Sequence, residues 1–310
     1  MKEIKVSVII PCYNEQEGIA ITYERTKAVI SPTDEIVFVN DGSKDNTLAI
    51  LSQIARKDKT VKVISFSRNF GHQPAVSAGI NFCSGDVAFI IDADLQDPPE
   101  LFPDMLDLYI KEKCNVVYGV RTSREGEGYF KKITAKLFYK ILNRLSDVKI
   151  PKDTGDFRLI DRTVIEEFKK LDEKNKYIRG LISWIGFKQC PFYYKRAARE
   201  MGTTKYPFAK MLRFATNGLL YFTKKPLSIA ITIGFFSIFI GLGLAVYTII
   251  VKIRMPQNAV PGWASTLISI IFFGGIQLLS IGVLGRYIGS VFDEVKNRPE
   301  YIVGEKINIS

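Results

Sequence analysis

Two long stretches near the C-terminus contain no charged residue, and they constrain the fold more than any other feature of the sequence. The first spans residues 227–251 and reads LSIAITIGFFSIFIGLGLAVYTIIV. The second lies within residues 255–285, and its apolar part reads ASTLISIIFFGGIQLLSIGVLG. Each is about as long as a helix that crosses a bilayer. Buried core helices are the alternative, but uncharged runs of this length are rare in soluble domains. We expect transmembrane helices at 227–251 and 262–285.

The flanking charges predict the orientation of these helices. Basic residues border both outer ends, whereas the loop between the helices has two; the outer ones are Lys224, Lys225, Arg286, Lys296 and Arg298, and the loop holds Lys252 and Arg254. Because basic residues favour the cytoplasmic side, the domain at 1–195 and the tail at 286–310 are both predicted to be cytoplasmic. The chain is then an integral protein of the inner (cytoplasmic) membrane.

The segment at 196–226 joins the soluble domain to the first predicted span. It is rich in lysine and arginine, and its apolar residues repeat at helical spacing: Phe208, Met211, Leu212, Ala215, Leu219 and Phe222. A helix with one apolar and one basic face is typical of a membrane interface. We expect basic amphipathic juxtamembrane helices here; a helix packed on the soluble domain is the alternative.

Composition narrows the classes of partner and cofactor. The formal net charge of +11 suggests an anionic partner, but the basic residues concentrate beside the spans, which argues against nucleic acid. The four cysteines are widely spaced, so we expect reduced thiols and no zinc site. The single histidine, His72, excludes a multi-histidine metal site and is expected to shape a loop without taking part in catalysis.

Residues 1–195 alternate between strand-like and helix-like patterns. The apolar, β-branched runs lie at 6–12, 35–40, 61–67, 86–92 and 115–120. Such alternation predicts an α/β fold with a mostly parallel sheet, whose ligands bind at the carboxyl ends of the strands. The turn after the first strand reads PCYNEQEG, which is not the glycine-rich signature of a dinucleotide-binding fold.

An acidic cluster follows the fourth predicted strand, in the sequence IIDADLQDPPE at 90–100. Asp92 and Asp94, with Gln96 close by, are suitable ligands for Mg²⁺ or Mn²⁺, which takes few protein oxygens and completes its shell with water and phosphate. A solvated loop is the alternative. Asp97 is expected to cap the helix that begins at Pro98 and Pro99.

Five motifs in this order carry a resemblance to a known family: VIIPCYNE, VNDGSKDNT, SRNFGHQPAVSAGI, DADLQDPPE and DTGDFRLIDR. Together they resemble the family 2 glycosyltransferases with a GT-A nucleotide-sugar-binding fold. More narrowly, they resemble the polyisoprenyl-phosphate glycosyltransferases, which include bactoprenol glucosyltransferases and dolichol-phosphate mannose synthases. The resemblance covers essentially the whole chain, including the C-terminal spans.

The resemblance implies a role for several residues. Those implied to bind the nucleotide sugar are Pro11, Tyr13, Glu15, Asp41 and Asp92, with Asp41 near the uracil or ribose. Asp92, Asp94 and Gln96 would hold Mg²⁺ or Mn²⁺ on the donor diphosphate, and Asp156 is the candidate catalytic carboxylate.

The acceptor of this family is a lipid phosphate. The resemblance implies that Arg121, Arg124 and Lys131 bind it. A basic helical pattern at 128–145 is compatible with a helix that gathers an anionic lipid head at the membrane, and a solvated surface helix is the alternative.

The expected reaction is an inverting, metal-dependent transfer of a hexose, with glucose from UDP-glucose preferred, to a polyisoprenyl phosphate such as undecaprenyl phosphate. GDP-mannose or another nucleotide sugar is an alternative donor, and a non-catalytic membrane scaffold built on a degenerate transferase domain is an alternative function. Small-residue runs such as GLGLA at 241–245 allow close helix packing, and we expect a homo-oligomer.

Overall fold

The computed structural model describes residues 4–122, 154–174, 176–195, 225–254 and 262–309. These residues form two compact units. The first contains eight strands and six α-helices, and the second contains two long helices. The predicted interfacial segment at 196–226 lies almost entirely outside the described residues, as do Arg124, Lys131 and the pattern at 128–145.

The first unit begins with alternating strands and helices. In chain order they are β1 (Val6–Cys12), α1 (Ile19–Val29), β2 (Glu35–Asn40), α2 (Thr47–Lys57), β3 (Val61–Phe66), α3 (His72–Phe82), β4 (Val87–Ile90), a 3₁₀ turn (Pro99–Leu101), α4 (Phe102–Glu112) and β5 (Val116–Arg121). All five predicted strands are confirmed. Every residue of β1 and β2 is buried, as expected for strands that are covered on both faces.

Further elements complete the unit. They are β6 (Thr154–Asp161), α5 (Arg162–Lys169), α6 (Ile178–Ile185), β7 (Gln189–Tyr194) and β8 (Val303–Ile307). The sheet has the order β7-β5-β6-β4-β1-β2-β3-β8. Strand β6 is antiparallel to both β4 and β5, and β8 is antiparallel to β3. The fold is therefore α/β with a mixed, mostly parallel sheet.

Large side chains fill the core between the sheet and its helices. Phe38, Phe89 and Phe157 are almost fully buried, and the rings of Phe89 and Phe102 stack with centroids 4.0 Å apart. Burial of a large apolar side chain contributes about 2 to 3 kcal/mol. This core fixes the strand ends and hence the side chains that follow them.

Two cysteines contradict the prediction of reduced thiols throughout. Cys114 and Cys190 form a disulfide, with their Cα atoms 6.1 Å apart, while Cys12 and Cys83 are free and buried. The prediction is wrong for this pair because β7 pairs in parallel with β5, which begins two residues after Cys114, and this pairing brings Cys190 close to Cys114. Distance along the chain did not reveal that neighbourhood.

The second unit consists of α7 (Lys225–Arg254) and α8 (Trp263–Val295). Both are longer than the predicted spans. Within the described residues, one stretch, Phe272–Val295, is long and apolar enough to cross a membrane, and Ala230–Gly243 is a shorter apolar stretch. One span is thus supported by length and composition, and the second stays a prediction.

Candidate active site

The loops after β1 and β2 are joined at the carboxyl edge of the sheet. The backbone N–H of Asn14 donates to Ser43 Oγ at 2.9 Å, and that of Lys44 donates to Asn14 Oδ1 at 2.8 Å. Glu15 N–H donates to Thr47 Oγ1 at 2.9 Å. These bonds fix the loop that contains Tyr13 and Glu15, both of which are half-buried, next to buried Pro11.

Asp41 links the β2 loop to the loop after β3. It is 3% exposed, and its two carboxylate oxygens accept the N–H groups of Phe70 at 2.6 Å and Gly71 at 2.9 Å. Burial raises the pKa of Asp41 despite these bonds. The side chain organises the backbone that leads into α3, and direct contact with a nucleotide stays a prediction.

The acidic cluster after β4 alternates between half-buried polar residues and buried residues. Asp92, Asp94 and Gln96 are half-buried, whereas the intervening residues Ile91, Ala93 and Leu95 are buried. Gln96 N–H donates to Asp94 Oδ1 at 3.2 Å. The three predicted metal ligands are therefore partly accessible to solvent.

Asp97 does not cap the following helix, which corrects that prediction. Pro98 occupies the N-cap of the 3₁₀ turn, and no side chain bonds there. The Asp97 carboxylate is fully buried and accepts the Tyr194 hydroxyl and Arg121 Nη2, the latter at 3.4 Å. Arg121, a predicted acceptor-phosphate residue, is therefore paired with Asp97 in this structure.

Strand β6 brings Asp156 beside the acidic cluster. The antiparallel register sets Arg158 opposite Ile90, so Asp156, two residues before Arg158, lies level with the start of the cluster. Asp156 is 6% exposed. The sequence identified this residue only through the family motif, since nothing local predicts the β4–β6 pairing.

Arg179 on α6 is a functional candidate that sequence reasoning missed. Its Nε donates to Asp156 Oδ1 at 2.6 Å and its Nη2 to Asp156 Oδ2 at 3.1 Å, while Nη1 donates to the carbonyl of Thr154 at 2.9 Å. Such a two-pronged arginine–carboxylate pair is strong and fixes orientation. No motif marks Arg179, and only the packing of α6 reveals it.

His72, the first residue of α3, lies between two carboxylates. Its Nε2 is 3.0 Å from Asp156 Oδ2 and 3.6 Å from Asp92 Oδ1. Burial alone would lower the pKa of His72, but the bond to Asp156 and the charge of Asp92 raise it to about 9. The expected loop-shaping role is thus incomplete, because the imidazole also contacts the candidate catalytic carboxylate.

Asp156 is held in its ionised form. Burial alone would raise its pKa, but the charge of Arg179 and the bonds from His72 and Arg179 hold the pKa well below its ordinary value. A carboxylate with so low a pKa is a poor proton acceptor near neutral pH. It is better suited to orient groups or to stabilise positive charge.

The donor set fits a hard divalent cation. No three His, Cys, Asp or Glu side chains form a preassembled metal cluster in the part of the chain that the structure describes. Mg²⁺ and Mn²⁺ do not need one, since water and substrate phosphates complete their shells. Burial and the neighbouring carboxylates of Asp156, Asp94 and Asp97 raise the pKa of Asp92 against the effect of His72. A cation at Asp92 and Asp94 would compensate this concentration of negative charge.

Comparison with known proteins identifies the family. The model of "Glycosyl transferase family 2" matches residues 7–169, which include β2–β6, α5 and all but the first residue of β1. The chain belongs to glycosyltransferase family 2. It is a glycosyltransferase of the GT-A-like α/β type, as the resemblance implied.

The relatives of this glycosyltransferase match almost its full length. An uncharacterized glycosyltransferase, YkcC, of Bacillus subtilis (strain 168) is 46% identical over 99% of the chain and 96% of its own length. A prophage-derived bactoprenol glucosyl transferase of Shigella flexneri is 40% identical over 97% of both.

Solved structures similar to this family 2 glycosyltransferase are more distant in sequence. A mannosyltransferase from Pyrobaculum calidifontis, solved with GDP-Man and Mn²⁺, has a TM-score of 0.48 and 14% identity, covering 93% of this chain and 88% of its own. A glucosyl-3-phosphoglycerate synthase from Mycobacterium tuberculosis, solved with Mn²⁺, UDP-glucose and phosphoglyceric acid, has a TM-score of 0.47 and 19% identity, with coverages of 70% and 78%.

Proposed function

We propose that this glycosyltransferase transfers glucose from UDP-glucose to a polyisoprenyl phosphate such as undecaprenyl phosphate, with inversion at the anomeric carbon and with Mg²⁺ or Mn²⁺. The observation that carries the proposal is Asp156, a buried carboxylate kept ionised by Arg179 and His72 beside the acidic cluster. Support for the lipid acceptor comes from the 40% identity to a bactoprenol glucosyl transferase.

The acceptor requires little help from a base. A phosphate monoester carries about 1.5 to 2 negative charges near neutral pH, so one of its oxygens attacks without losing a proton. That oxygen forms a bond to the anomeric carbon while the bond from this carbon to the diphosphate breaks, and the electron pair leaves with UDP. Direct attack from the opposite face converts an α-linked donor into a β-linked lipid phosphate sugar.

The residues of the site divide this work. Asp92, Asp94 and Gln96 would hold the divalent cation, which when bound supplies neutralisation of the leaving diphosphate. Asp156 would stabilise positive charge that develops on the sugar, and Arg179 and His72 keep its carboxylate oriented. Pro11, Tyr13 and Glu15 would contact the nucleoside, on the loop that is fixed to the β2 loop.

Support for a membrane location comes from the second unit. Side chains on α7 and α8 are apolar and exposed, for example Phe235, Phe239, Leu278 and Ile281 at 62–71% exposure. Exposed apolar surface on this scale is costly in water and suits a bilayer. We propose an integral inner-membrane protein with two spans, whose soluble domain and C-terminal segment are cytoplasmic.

The test is transfer of label from radiolabelled UDP-glucose to undecaprenyl phosphate by the purified full-length protein, with Mg²⁺ or Mn²⁺ and then with EDTA. We expect metal-dependent label in the lipid phase and its loss in Asp156→Asn, with Asp104→Asn on the surface of α4 as the matched control. Transfer from GDP-mannose instead would contradict the choice of sugar. No transfer with any donor would contradict the enzyme proposal and favour a scaffold.

A further inference from the structure

The segment after α8 belongs to the first unit. We name residues 298–308 the C-terminal strap. Its strand β8 pairs with β3, and Asn308 Nδ2 donates to the carbonyls of Ala55 at 2.6 Å and Val61 at 2.8 Å. The sequence predicted only a cytoplasmic tail here, whereas β8 forms one edge of the sheet that carries the candidate active site.

Glu300 of the strap is buried against two elements that lead to Asp156. Its side chain is 9% exposed, its Oε2 accepts the hydroxyl of Ser77 at 2.9 Å, and Lys176 Nζ lies 3.7 Å from the same oxygen. The other oxygen, Oε1, is buried without a hydrogen-bond partner among the described residues. Burial raises the pKa of Glu300 to about 7 against the effects of Lys176 and Ser77.

Tyr301 supports the same region through an aromatic row. Its ring stacks on Phe66 with centroids 4.9 Å apart, and Phe66 meets Phe70 edge to face at 5.7 Å. Its hydroxyl accepts from Asn81 Nδ2 at 3.0 Å. The strap therefore contacts α3 at two places, and the carbonyl of Ile302 accepts the N–H of Ser67, in the loop that precedes α3, at 3.0 Å.

These contacts converge on the partners of Asp156. Ser77 lies on α3, which begins with His72, and Lys176 lies just before α6, which carries Arg179. The two helix starts are also joined directly, because Ile178 N–H donates to Gln73 Oε1 at 3.0 Å. One carboxylate thus ties together the two elements that orient Asp156.

We propose that Glu300 is a positioning residue for the transfer reaction, acting through α3 and α6 on His72 and Arg179. The proposal rests on the proposed function of the site. Removing one partner of a buried ion pair costs stability because the other charge stays buried, and Glu300→Ala leaves Lys176, itself 8% exposed, without this carboxylate. The effect of Glu300 on the geometry of the site is therefore read from kcat at temperatures where each variant is fully folded.

The experiment compares full-length Glu300→Ala and Glu300→Gln with Glu305→Gln, an exposed glutamate on the same strap. Since small misplacements of catalytic groups are costly, we expect Glu300→Ala to lower kcat by about tenfold and to change KM for UDP-glucose by less than about twofold. Glu300→Gln keeps an acceptor for Ser77 and recovers most of the rate. Ser77→Ala reproduces the loss and adds little to Glu300→Ala, as expected for one shared interaction.

An unchanged kcat in Glu300→Ala overturns the proposal, and so does an equal loss in Glu305→Gln. Amide hydrogen exchange provides a readout that does not depend on the substrate, and we expect faster exchange in α3 and in 176–185 for Glu300→Ala. If the wild-type protein transfers no sugar, the proposed function fails. Unchanged exchange in both segments would separately overturn the role of the strap.

Discussion

The guanidinium of Arg179 donates two hydrogen bonds to the carboxylate of Asp156, from Nε to Oδ1 at 2.6 Å and from Nη2 to Oδ2 at 3.1 Å. The two residues come from α6 and β6, with α5 between them. This pair, with His72 on the second oxygen, sets both the charge and the direction of the candidate catalytic group. Its main consequence is that Asp156 acts as a fixed negative charge.

Arg179→Lys tests the two-pronged ion pair between Arg179 and Asp156. Lysine keeps the charge but loses the planar pair of donors, so we expect the transfer rate to fall by about 10- to 100-fold while the melting temperature changes little. The matched control is Arg25→Lys, which breaks a similar two-pronged ion pair between Arg25 and Glu100 on the protein surface. Steady-state transfer assays measure the effect, and an Arg179→Lys enzyme as fast as the control would contradict it.

Asp94→Asn tests the cation site. Asparagine keeps an oxygen but removes a negative charge from the set, so we expect the Mn²⁺ concentration for half-maximal transfer to rise by at least about tenfold, as one lost charge-assisted ligand suggests. Asp104→Asn, at an exposed position on α4, should leave the metal titration unchanged. If the metal titration of Asp94→Asn is identical to that of the wild type, Asp94 is not a ligand of the cation.

Glu35→Gln tests a pH dependence of stability at the opposite edge of the sheet. Burial alone would raise the pKa of Glu35, but bonds from Lys62, Ser84 and Ser7 lower it from 4.5 to about 2. The folded pKa is thus below the unfolded value. The resulting stabilisation, about 3 kcal/mol, is fully present above about pH 4.5 and is lost as the pH falls toward about 2.

Unfolding free energies between pH 6 and pH 3 provide the measurement. We expect the wild type to lose more stability than Glu35→Gln over this range, because the glutamine has no proton to bind. Glu112→Gln, an exposed substitution on α4, should follow the wild-type curve. Parallel curves for all three proteins would show that Glu35 is not responsible.

Gly42→Ala tests the close contact between Gly42 and the backbone of the loop that follows β3. Gly42 has φ +63°, and an added Cβ would lie 2.6 Å from the backbone nitrogen of Asn69 and closer still to the backbone of Arg68. Because the clashing atoms belong to the backbone and cannot shift without distorting the loop, we expect the free energy of unfolding to fall by at least about 2 kcal/mol. Gly18→Ala, where a Cβ meets nothing within 4 Å, should change stability by less than about 0.5 kcal/mol. Thermal melting separates the two, and equal melting temperatures would refute the clash.

The sequence predicted those parts of the fold that depend on short-range patterns. Alternating apolar runs located β1 to β5, and the uncharged stretches located the two long helices, although α7 and α8 extend beyond the predicted bounds. Polar residues after the strands identified the carboxyl edge of the sheet, on which Glu15, Asp41, Asp92 and Asp94 lie. Each of these inferences needs only neighbours along the chain and the period of an element.

Long-range pairing escaped the same reasoning. Strands β6, β7 and β8 join the sheet at positions that no local pattern specifies, so the Cys114–Cys190 disulfide and the strap were not expected. For the same reason, Asp97 was assigned to a helix cap, when Tyr194 from the distant strand β7 is its partner.

By itself, the sequence determined which chemically important residues and segments are present: the acidic cluster at 92–97, the motif around Asp156, the single histidine and the apolar C-terminal stretches. Only the tertiary structure decided which of these residues lie close together. The antiparallel insertion of β6 beside β4 brings Asp156 level with Asp92, and the packing of α6 supplies Arg179. The physical reason is that charge and pKa depend on neighbours in space, within a few ångströms, and those neighbours are set by strand order and helix packing.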